Sequence, residues 1–383
     1  MINEYVAKTF HGLEGVLEEE LKELGATRTK QLKRAVAFEG DLEFLYKANL
    51  HLRTALRILH PLGSELVRNQ KELYNFAKSI NWLRWFSPEQ TFSISANVFN
   101  APAFNNSAFV ALKVKDAVVD QFRDIKGKRP SVDKENPDVR IDVHIYKDKC
   151  TISIDSSGES LHRRGYRSSG HRAPLNEVLA AGMIMLAGWD KKETLIDPFC
   201  GTGTILVEAG LYACNIAPNI KRKVFGFFYW KNFDEKLWEG VWLDARGSER
   251  RSDVMLIGTD VSPKVIDYTR DHVTNAKLDD NVRLMVKKFE HMVPPTSGGM
   301  VITNPPYGER LDRVEVEELY SVIGDKLKQD YAGYTAWIIS SVEKFNKYIG
   351  LRPSKKLVLF NGGLECRYLK YELYKGTREV EKK

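Results

Sequence analysis

The segment Asp197-Pro198-Phe199-Cys200-Gly201-Thr202-Gly203-Thr204 joins a short apolar strand to a helix. Its Gly-x-Gly turn lets the backbone come close to a ligand, and the amide-bearing N-terminus of the helix is aimed at the same spot. This order of strand, turn and helix is typical of a cofactor site in an open parallel sheet. A phosphate loop and the third glycine of the dinucleotide fingerprint are both missing from the sequence. We therefore expect a cofactor without a pyrophosphate.

Strand and helix alternate around this segment. The predicted helix PLNEVLAAGMIMLAGW, opened by Pro174, precedes the segment. The segment is followed by the strand VMLIGTD, the helix SPKVIDYTRDHVTNAKL, the strand VRLMV and the run MVIT at Met300 to Thr303. Such alternation predicts a mostly parallel, doubly wound α/β sheet. The residues before Arg164 instead read as shorter α+β elements, among them a long helix over Ala108 to Phe122 and the hairpin RIDVHIYKDKCTISIDSS. We expect a domain boundary near Arg164 to Arg172.

The composition predicts a globular cytoplasmic protein. The chain has 383 residues, 43% of them hydrophobic, without an apolar run long enough for a membrane span. The start MINEYVAKTF lacks the layout of a secretory signal. Its four cysteines are too scattered for a zinc site, so we expect reduced thiols and no metal. One of them, Cys200, could be a nucleophile, but its place inside the cofactor turn favours packing.

The charge distribution favours a polyanionic partner. Net charge is +7, with a pI of about 9.0. Two clusters contain no acidic residue: TRTKQLKRA, and LHRRGYRSSGHR with Arg163, Arg164, Arg167 and Arg172. These arginines are candidates for RNA phosphate contacts, and solvated loops are the alternative. An aromatic segment at residues 215–251 could stack bases, although packing of a structural insertion is the favoured interpretation.

Two further strand ends carry polar residues. Gly258-Thr259-Asp260 places a carboxylate where it can accept hydrogen bonds from the hydroxyls of a ribose. The alternative is that Asp260 caps the next helix, although Ser262 could do so instead. After MVIT comes Asn304-Pro305-Pro306-Tyr307, which faces the same crevice because the strands are parallel.

The chemistry that suits this last segment is methylation of an amine. The Asn304 side-chain oxygen and the Pro305 carbonyl can accept hydrogen bonds from the two N–H groups of an exocyclic base amine, which frees the lone pair of its nitrogen. Tyr307 can stack on a flipped base. No strong base is needed, since the alkylated nitrogen becomes acidic. A strand-terminating turn without chemistry is the alternative.

Together, DPFCGTGT, TDVSP and NPPYGERL resemble the class I, S-adenosylmethionine-dependent amino-methyltransferases. The longer run HRRGYR…APLNEVLAAGMIMLAGW resembles the large-subunit ribosomal RNA guanine-N2 methyltransferases, and FVALKVKDAVVDQFRDIKGKRPSVDKENPDVRIDVHI is similar to a THUMP RNA-binding domain. The resemblance implies a Rossmann-like class I sheet over residues 164–383, with the aromatic insertion 215–251. A ferredoxin-like segment over 1–55 and a THUMP-like domain over 56–163 would precede that sheet.

The same resemblance implies the site residues and the substrate. It assigns the target base to Asn304, Pro305 and Tyr307. It assigns S-adenosylmethionine to Asp197, Phe199, Gly201, Thr202, Gly203, Thr204, Asp260 and Asn304. The sequence departs from the family at Lys288, where an aspartate commonly binds the adenine, and Glu290 is the candidate to replace that aspartate. A transfer-RNA guanine-N2 methyltransferase, a DNA adenine-N6 methylase and a non-catalytic assembly factor remain alternatives, and the oligomeric state is open.

Overall fold

The computed structural model describes residues 2–167, 175–306 and 313–375, which fall into two compact units. The first unit comprises Met1–Thr9, Leu17–Arg163 and Arg222–Asp244, and the second comprises Phe10–Val16, Arg164–Lys221 and Ala245–Lys383. The main passage from the first unit to the second therefore lies between residues 163 and 164. The domain boundaries expected from the sequence remain a prediction.

The first unit is an α+β structure built on one twisted sheet. Its strands are β1 (Asn3–Lys8), β2 (Thr29–Leu32), β3 (Ala35–Gly40), β4 (Arg57–Leu66), β5 (Thr91–Phe99), β6 (Ser131–Val132), β7 (Val139–Tyr146) and β8 (Lys149–Asp155). The helices of this part of the chain are α1 (Glu14–Leu24), α2 (Leu42–His51), α3 (Gln70–Ser79) and α4 (Ser107–Lys126). The strand order is β2-β3-β1-β4-β8-β7-β5-β6, antiparallel except where β5 pairs with β6 and β7.

Local capping sets the ends of the longest helix here, α4. The Asn106 side chain accepts a hydrogen bond from the amide of Phe109, and Gly127 ends the helix with a left-handed φ of 66°. Both are common terminal signals, because the side-chain oxygen satisfies an unpaired amide and glycine tolerates a positive φ. The helix predicted over residues 108–122 is confirmed and runs slightly longer at each end.

The second unit is an α/β structure on a mostly parallel sheet. Its strands are β9 (Leu195–Asp197), β10 (Leu256–Asp260), β11 (Val282–Val286), β12 (Gly299–Thr303), β13 (Tyr334–Ser340), β14 (Lys355–Asn361) and β15 (Leu364–Glu372). The remaining helices are α5 (Glu177–Ala187), α6 (Thr204–Ala213), α7 (Glu235–Gly247), α8 (Pro263–Ala276), α9 (Arg313–Asp330) and α10 (Phe345–Ile349). The strand order is β11-β10-β9-β12-β13-β15-β14, and only β15 pairs antiparallel with its neighbours.

This order creates a switch point in the middle of the sheet. The chain first moves outward from β9 through β10 to β11, then returns to the other side of β9 with β12. A crevice opens at the carboxyl ends of the strands where the direction changes. One face of the sheet is covered by an apolar cluster that includes Val301 of β12, Ile338 of β13, and Ile323 and Leu327 of α9. The predicted doubly wound α/β fold is confirmed.

One local prediction needs correction. The helix α5 begins at Glu177, with the Asn176 side chain accepting from the amide of Val178. Pro174, where the sequence predicted the start, lies outside the described residues. The asparagine side chain satisfies one of the amides at the start of the helix that have no partner within it. The aromatic segment, residues 215–251, contains α7.

The rings of the aromatic segment pack inside the first unit. Phe225 and Phe227 are fully buried and stack on each other, and Phe227 also stacks on Tyr46 of α2 at 4.4 Å between ring centroids. Buried rings are not available to bases, so the packing interpretation is confirmed for these residues. Within the described parts of the chain, no helix is long and apolar enough to cross a membrane, and no cluster of acidic, histidine or cysteine side chains suits a metal ion.

Candidate functional site

The ends of three adjacent parallel strands bring the predicted site residues together. Asp197 ends β9 and pairs in register with Gly258 of β10, while β12 pairs with β9 through Val301 and Ile196. Asp260 and Asn304 therefore follow at the same edge of the sheet. This edge is the switch-point crevice, where the folding rules for open sheets place a ligand.

The turn after β9 requires both of its glycines. Gly201 and Gly203 have φ angles of +49° and +77°, a region that other residues rarely adopt. A Cβ atom on Gly203 would also lie 2.4 Å from the methyl carbon of Thr269 on α8. The turn thus folds tightly against α8, with the amide of Gly203 donating to the Cys200 carbonyl at 2.8 Å.

Two buried polar residues of α8 fix the backbone of this turn. The hydroxyl of Thr269 donates to the Gly201 carbonyl at 2.6 Å, and Nδ1 of His272 lies 2.9 Å from the Thr202 carbonyl oxygen. Because a carbonyl only accepts, that histidine nitrogen carries the hydrogen. Sequence reasoning missed both residues. Their spacing of three on an amphipathic helix was the available signal, since it places two polar groups on the buried face.

Asp197 is a carboxyl group removed from water beside a ligand site. Its side chain is buried, and Oδ1 accepts hydrogen bonds from the Thr303 hydroxyl at 2.7 Å and from the Phe199 amide at 3.3 Å. Burial raises the pKa of Asp197 to about 7, the charge of Asp260 adds to the rise, and the two hydrogen bonds oppose it. A cation placed nearby would favour the ionised form.

Asp260 is not the cap of the helix that follows it. The Ser262 hydroxyl caps α8 by accepting from the amide of Val265, and Pro263 is the first helical residue. Asp260 accepts from the Ser262 amide through Oδ1, and its other oxygen accepts no hydrogen bond from any residue that the structure describes. Next to it, the apolar side chain of Val261 is 63% exposed. A carboxylate with a free acceptor beside an exposed apolar surface suits a nucleoside.

Asn304 presents an unusual acceptor at the end of β12. Its Oδ1 atom is buried, and among the described residues it has no hydrogen-bond donor. Buried side-chain oxygens without partners are rare in folded proteins and often mark functional positions. Pro305 is buried beside it, whereas Tyr307 lies outside the described residues. The structure therefore brings Asn304 and Pro305 to the same edge as Asp197 and Asp260.

Phe199 and Cys200 are packed into the turn. The Phe199 ring lies 5.8 Å from that of Phe289, in the short turn between β11 and β12, while Lys288 and Glu290 on either side of Phe289 are exposed. Cys200 is buried, and burial raises the pKa of its thiol well above the usual range. Because the thiolate is the nucleophilic form, this environment supports the packing interpretation. All four cysteines of the chain are free and buried.

The arginine cluster divides into different environments. Arg163, in the first unit, has a side chain that is 65% exposed beside Glu159, so an RNA contact remains a prediction there. The prediction is wrong for Arg164, because its guanidinium is buried against Glu208 at 3.4 Å and cannot reach a phosphate. Arg167 points into the second unit, toward Glu177 and the cofactor turn. Arg172 lies outside the described residues.

The chain resembles known proteins along most of its length. Residues 164–370 match the family described as RMKL-like, methyltransferase domain, residues 67–155 a THUMP domain and residues 4–59 the RlmL ferredoxin-like domain. The protein slr0064 of Synechocystis sp., provisionally named an RNA methyltransferase, is 42% identical over 372 residues, which are 97% of each chain. The ribosomal RNA large subunit methyltransferase K/L of Shewanella frigidimarina is 39% identical over 95% of this chain. The match covers 52% of that protein, so the chain spans about half the length of this relative.

Solved structures show the same architecture. A possible methylase from Clostridium difficile 630 has a TM-score of 0.90 and 32% identity, with 99% of this chain and 100% of that chain covered. The protein SMU.472, provisionally described as a methyltransferase and crystallised with SAH, has a TM-score of 0.89 and 27% identity, with 98% and 99% covered. The matches over residues 164–370 and to slr0064 show that the chain belongs to the RMKL-like methyltransferase family, whose methyl donor is S-adenosylmethionine.

Proposed function

We propose that this protein methylates the exocyclic N2 amine of a guanine in large-subunit ribosomal RNA. The observation that carries the proposal is the buried oxygen of Asn304, which has no donor among the described residues and lies next to Pro305 at the switch point. A buried acceptor of this kind is satisfied when a substrate N–H enters the site.

The residues at the end of β12 suit an amine that is a weak nucleophile. A guanine amine is planar because its lone pair is delocalised into the ring. The Asn304 oxygen accepts a hydrogen bond from one N–H group of the amine, and the Pro305 carbonyl accepts one from the other. This arrangement favours a more tetrahedral nitrogen and frees its lone pair. Bound S-adenosylmethionine supplies an electrophilic methyl group. The proline ring restricts the backbone beforehand, so that little reorganisation is needed during reaction.

The residues that would hold the methyl donor surround the turn after β9. The Gly201 to Gly203 backbone permits close approach, Asp260 offers a free oxygen to the ribose hydroxyls, and Asp197 lies where a positive charge would be favourable. The buried Asp197 carboxyl fits the cationic methionine portion, because a nearby positive charge offsets the cost of ionising it without water.

An RNA substrate is supported by the first unit and by the names of relatives. Several relatives are named ribosomal RNA large subunit methyltransferase K/L, and the first unit contains the THUMP match. The first unit also contains a cavity of about 790 Å³ whose lining includes Arg57, Lys115, Lys134 and Arg140. Asp155 also lines the cavity and forms an ion pair with Arg57, so we propose that a phosphate would bind beside Arg140. We therefore propose that the protein acts in the cytoplasm.

Product analysis tests this proposal. The whole protein is incubated with deuterium-methyl S-adenosylmethionine and, separately, with large-subunit ribosomal RNA, transfer RNA and duplex DNA from cells lacking the enzyme. Labelled N2-methylguanosine in ribosomal RNA alone is the expected product by nucleoside mass spectrometry. The same nucleoside in transfer RNA, or N6-methyladenine in DNA, would replace the proposed substrate. If no substrate acquires label although S-adenosylmethionine binds, the assembly-factor alternative is favoured.

A further inference from the structure

Arg167 connects the start of the second unit to the cofactor turn. Its Nε donates to Glu177, and Nη2 donates to the Leu175 carbonyl at 3.0 Å and to the Thr204 hydroxyl oxygen at 2.7 Å. Nη1 lies 3.4 Å from the hydroxyl oxygen of Thr202. The side chain is 20% exposed. One guanidinium thus holds the hydroxyl groups at both ends of the Thr-Gly-Thr segment.

These contacts determine what the two hydroxyl groups can still do. A guanidinium only donates, so each threonine oxygen acts as an acceptor toward Arg167 and keeps its own hydrogen for another partner. Neither the Thr202 nor the Thr204 hydroxyl donates to a residue that the structure describes, although Thr204 is only 4% exposed. Two O–H donors in the cofactor turn therefore have no acceptor among the described residues.

We propose that Arg167 is the positioning residue that aims the Thr202 and Thr204 hydroxyls at the carboxylate of the methionine portion of S-adenosylmethionine. The inference rests on the proposed function of the site. Within the methionine portion, the carboxylate only accepts hydrogen bonds, whereas the ammonium only donates them. The ribose hydroxyls suit Asp260. The nearby guanidinium charge and the amides at the start of α6 favour an anion at the same place.

A pair of ligands that differ only in this carboxylate tests the inference. In calorimetry with the whole protein, Arg167→Met is expected to weaken S-adenosylmethionine binding by about tenfold or more, as for lost hydrogen bonds to a charged group. The affinity for decarboxylated S-adenosylmethionine should fall less than about twofold in the same variant. Thr204→Val and Thr202→Val, which keep the shape of the side chain, should show the same selectivity. Arg167→Lys should recover part of the loss because one donor remains.

The matched control is His272→Ala. That histidine holds the backbone of the same turn but neither hydroxyl group, so its loss should weaken the binding of both ligands equally. An equal loss of both ligands in Arg167→Met would show that Arg167 only supports the turn, and an unchanged affinity for S-adenosylmethionine would also overturn the proposal. If Arg167→Met does not fold, the two threonine variants decide by the same comparison. Failure of the unmodified protein to bind S-adenosylmethionine would instead contradict the proposed function.

Discussion

Thr303, the last residue of β12, donates its hydroxyl hydrogen to the buried carboxyl of Asp197 on the adjacent strand β9, at 2.7 Å. Asp197 begins the cofactor turn, and Thr303 directly precedes Asn304. The hydrogen bond therefore joins the part of the site that would hold the methyl donor to the part that would hold the target amine. Both residues are 1% exposed, so water does not replace this contact.

Removing this hydrogen bond should alter the acidity of Asp197. Thr303→Val keeps the shape of the side chain but deletes the donor, and the hydrogen bond lowers the pKa of Asp197. We expect the carboxyl pKa to rise further and the free energy of unfolding above pH 7, where the carboxyl is ionised, to fall by about 1 kcal/mol or more. Carboxyl-resolved NMR titration measures the first effect and denaturant unfolding the second. Thr303→Ser, which keeps the hydroxyl, should differ little from the unmodified protein.

The raised pKa of Asp197 should appear in the pH dependence of stability. The folded protein holds this proton up to pH about 7, whereas the unfolded carboxyl loses it near its ordinary value of 3.8. Between these limits the folded state binds more protons, so the contribution of Asp197 to stability decreases as the pH rises. Asp197→Asn should remove that component when unfolding is measured at pH 5 and pH 8. An identical slope in both proteins would place the pKa near its ordinary value.

Asp260 and Ser262 should separate cofactor binding from helix capping. Asp260→Ala is expected to weaken S-adenosylmethionine binding by about 1 to 3 kcal/mol, because a charged acceptor for the ribose is lost. Ser262→Ala removes the cap of α8 and should cost about 1 kcal/mol of stability with little effect on affinity. Calorimetry and thermal unfolding of both variants provide the comparison. Unchanged affinity in Asp260→Ala would exclude the ribose contact.

Neighbouring arginines should behave differently on substitution. Arg163→Ala should weaken RNA binding uniformly across sequences and flatten its dependence on salt, because fewer counterions are released. Arg164→Ala removes the ion-pair partner of the buried Glu208 carboxylate and should destabilise the protein by about 3 kcal/mol or more. Filter binding across a salt series and denaturant unfolding distinguish the two. An unaltered salt slope for Arg163→Ala would favour the solvated-loop interpretation.

The sequence predicted the strand ends well because their chemistry is local. Asp197 and Asp260 follow apolar strands, and parallel strands bring their carboxyl ends to one edge whatever the strand order. Glycines with positive φ at positions 201 and 203 were also readable, since the turn requires them. These features depend on a few adjacent residues and on general rules of sheet geometry.

The partners of those residues could not be read in the same way. Arg164 lies in a basic run, yet it is buried against Glu208, 44 positions further along the chain. The support that Thr269 and His272 give to the cofactor turn likewise joins segments separated by about 70 residues. Charge clustering in a sequence cannot distinguish an exposed arginine from a buried one, because burial is decided by tertiary packing.

The most direct test of the central claim is a single-turnover methylation assay of Asn304→Ala on the RNA substrate, with S-adenosylmethionine affinity measured in parallel. Loss of the buried acceptor should lower the rate of methyl transfer by about two orders of magnitude, as for removal of one preorganised partner of the transition state. Cofactor affinity should change little, since Asp260 and the glycine turn remain intact. Methylation of guanine at the unmodified rate would contradict the role assigned to Asn304 and leave the segment after β12 as a turn.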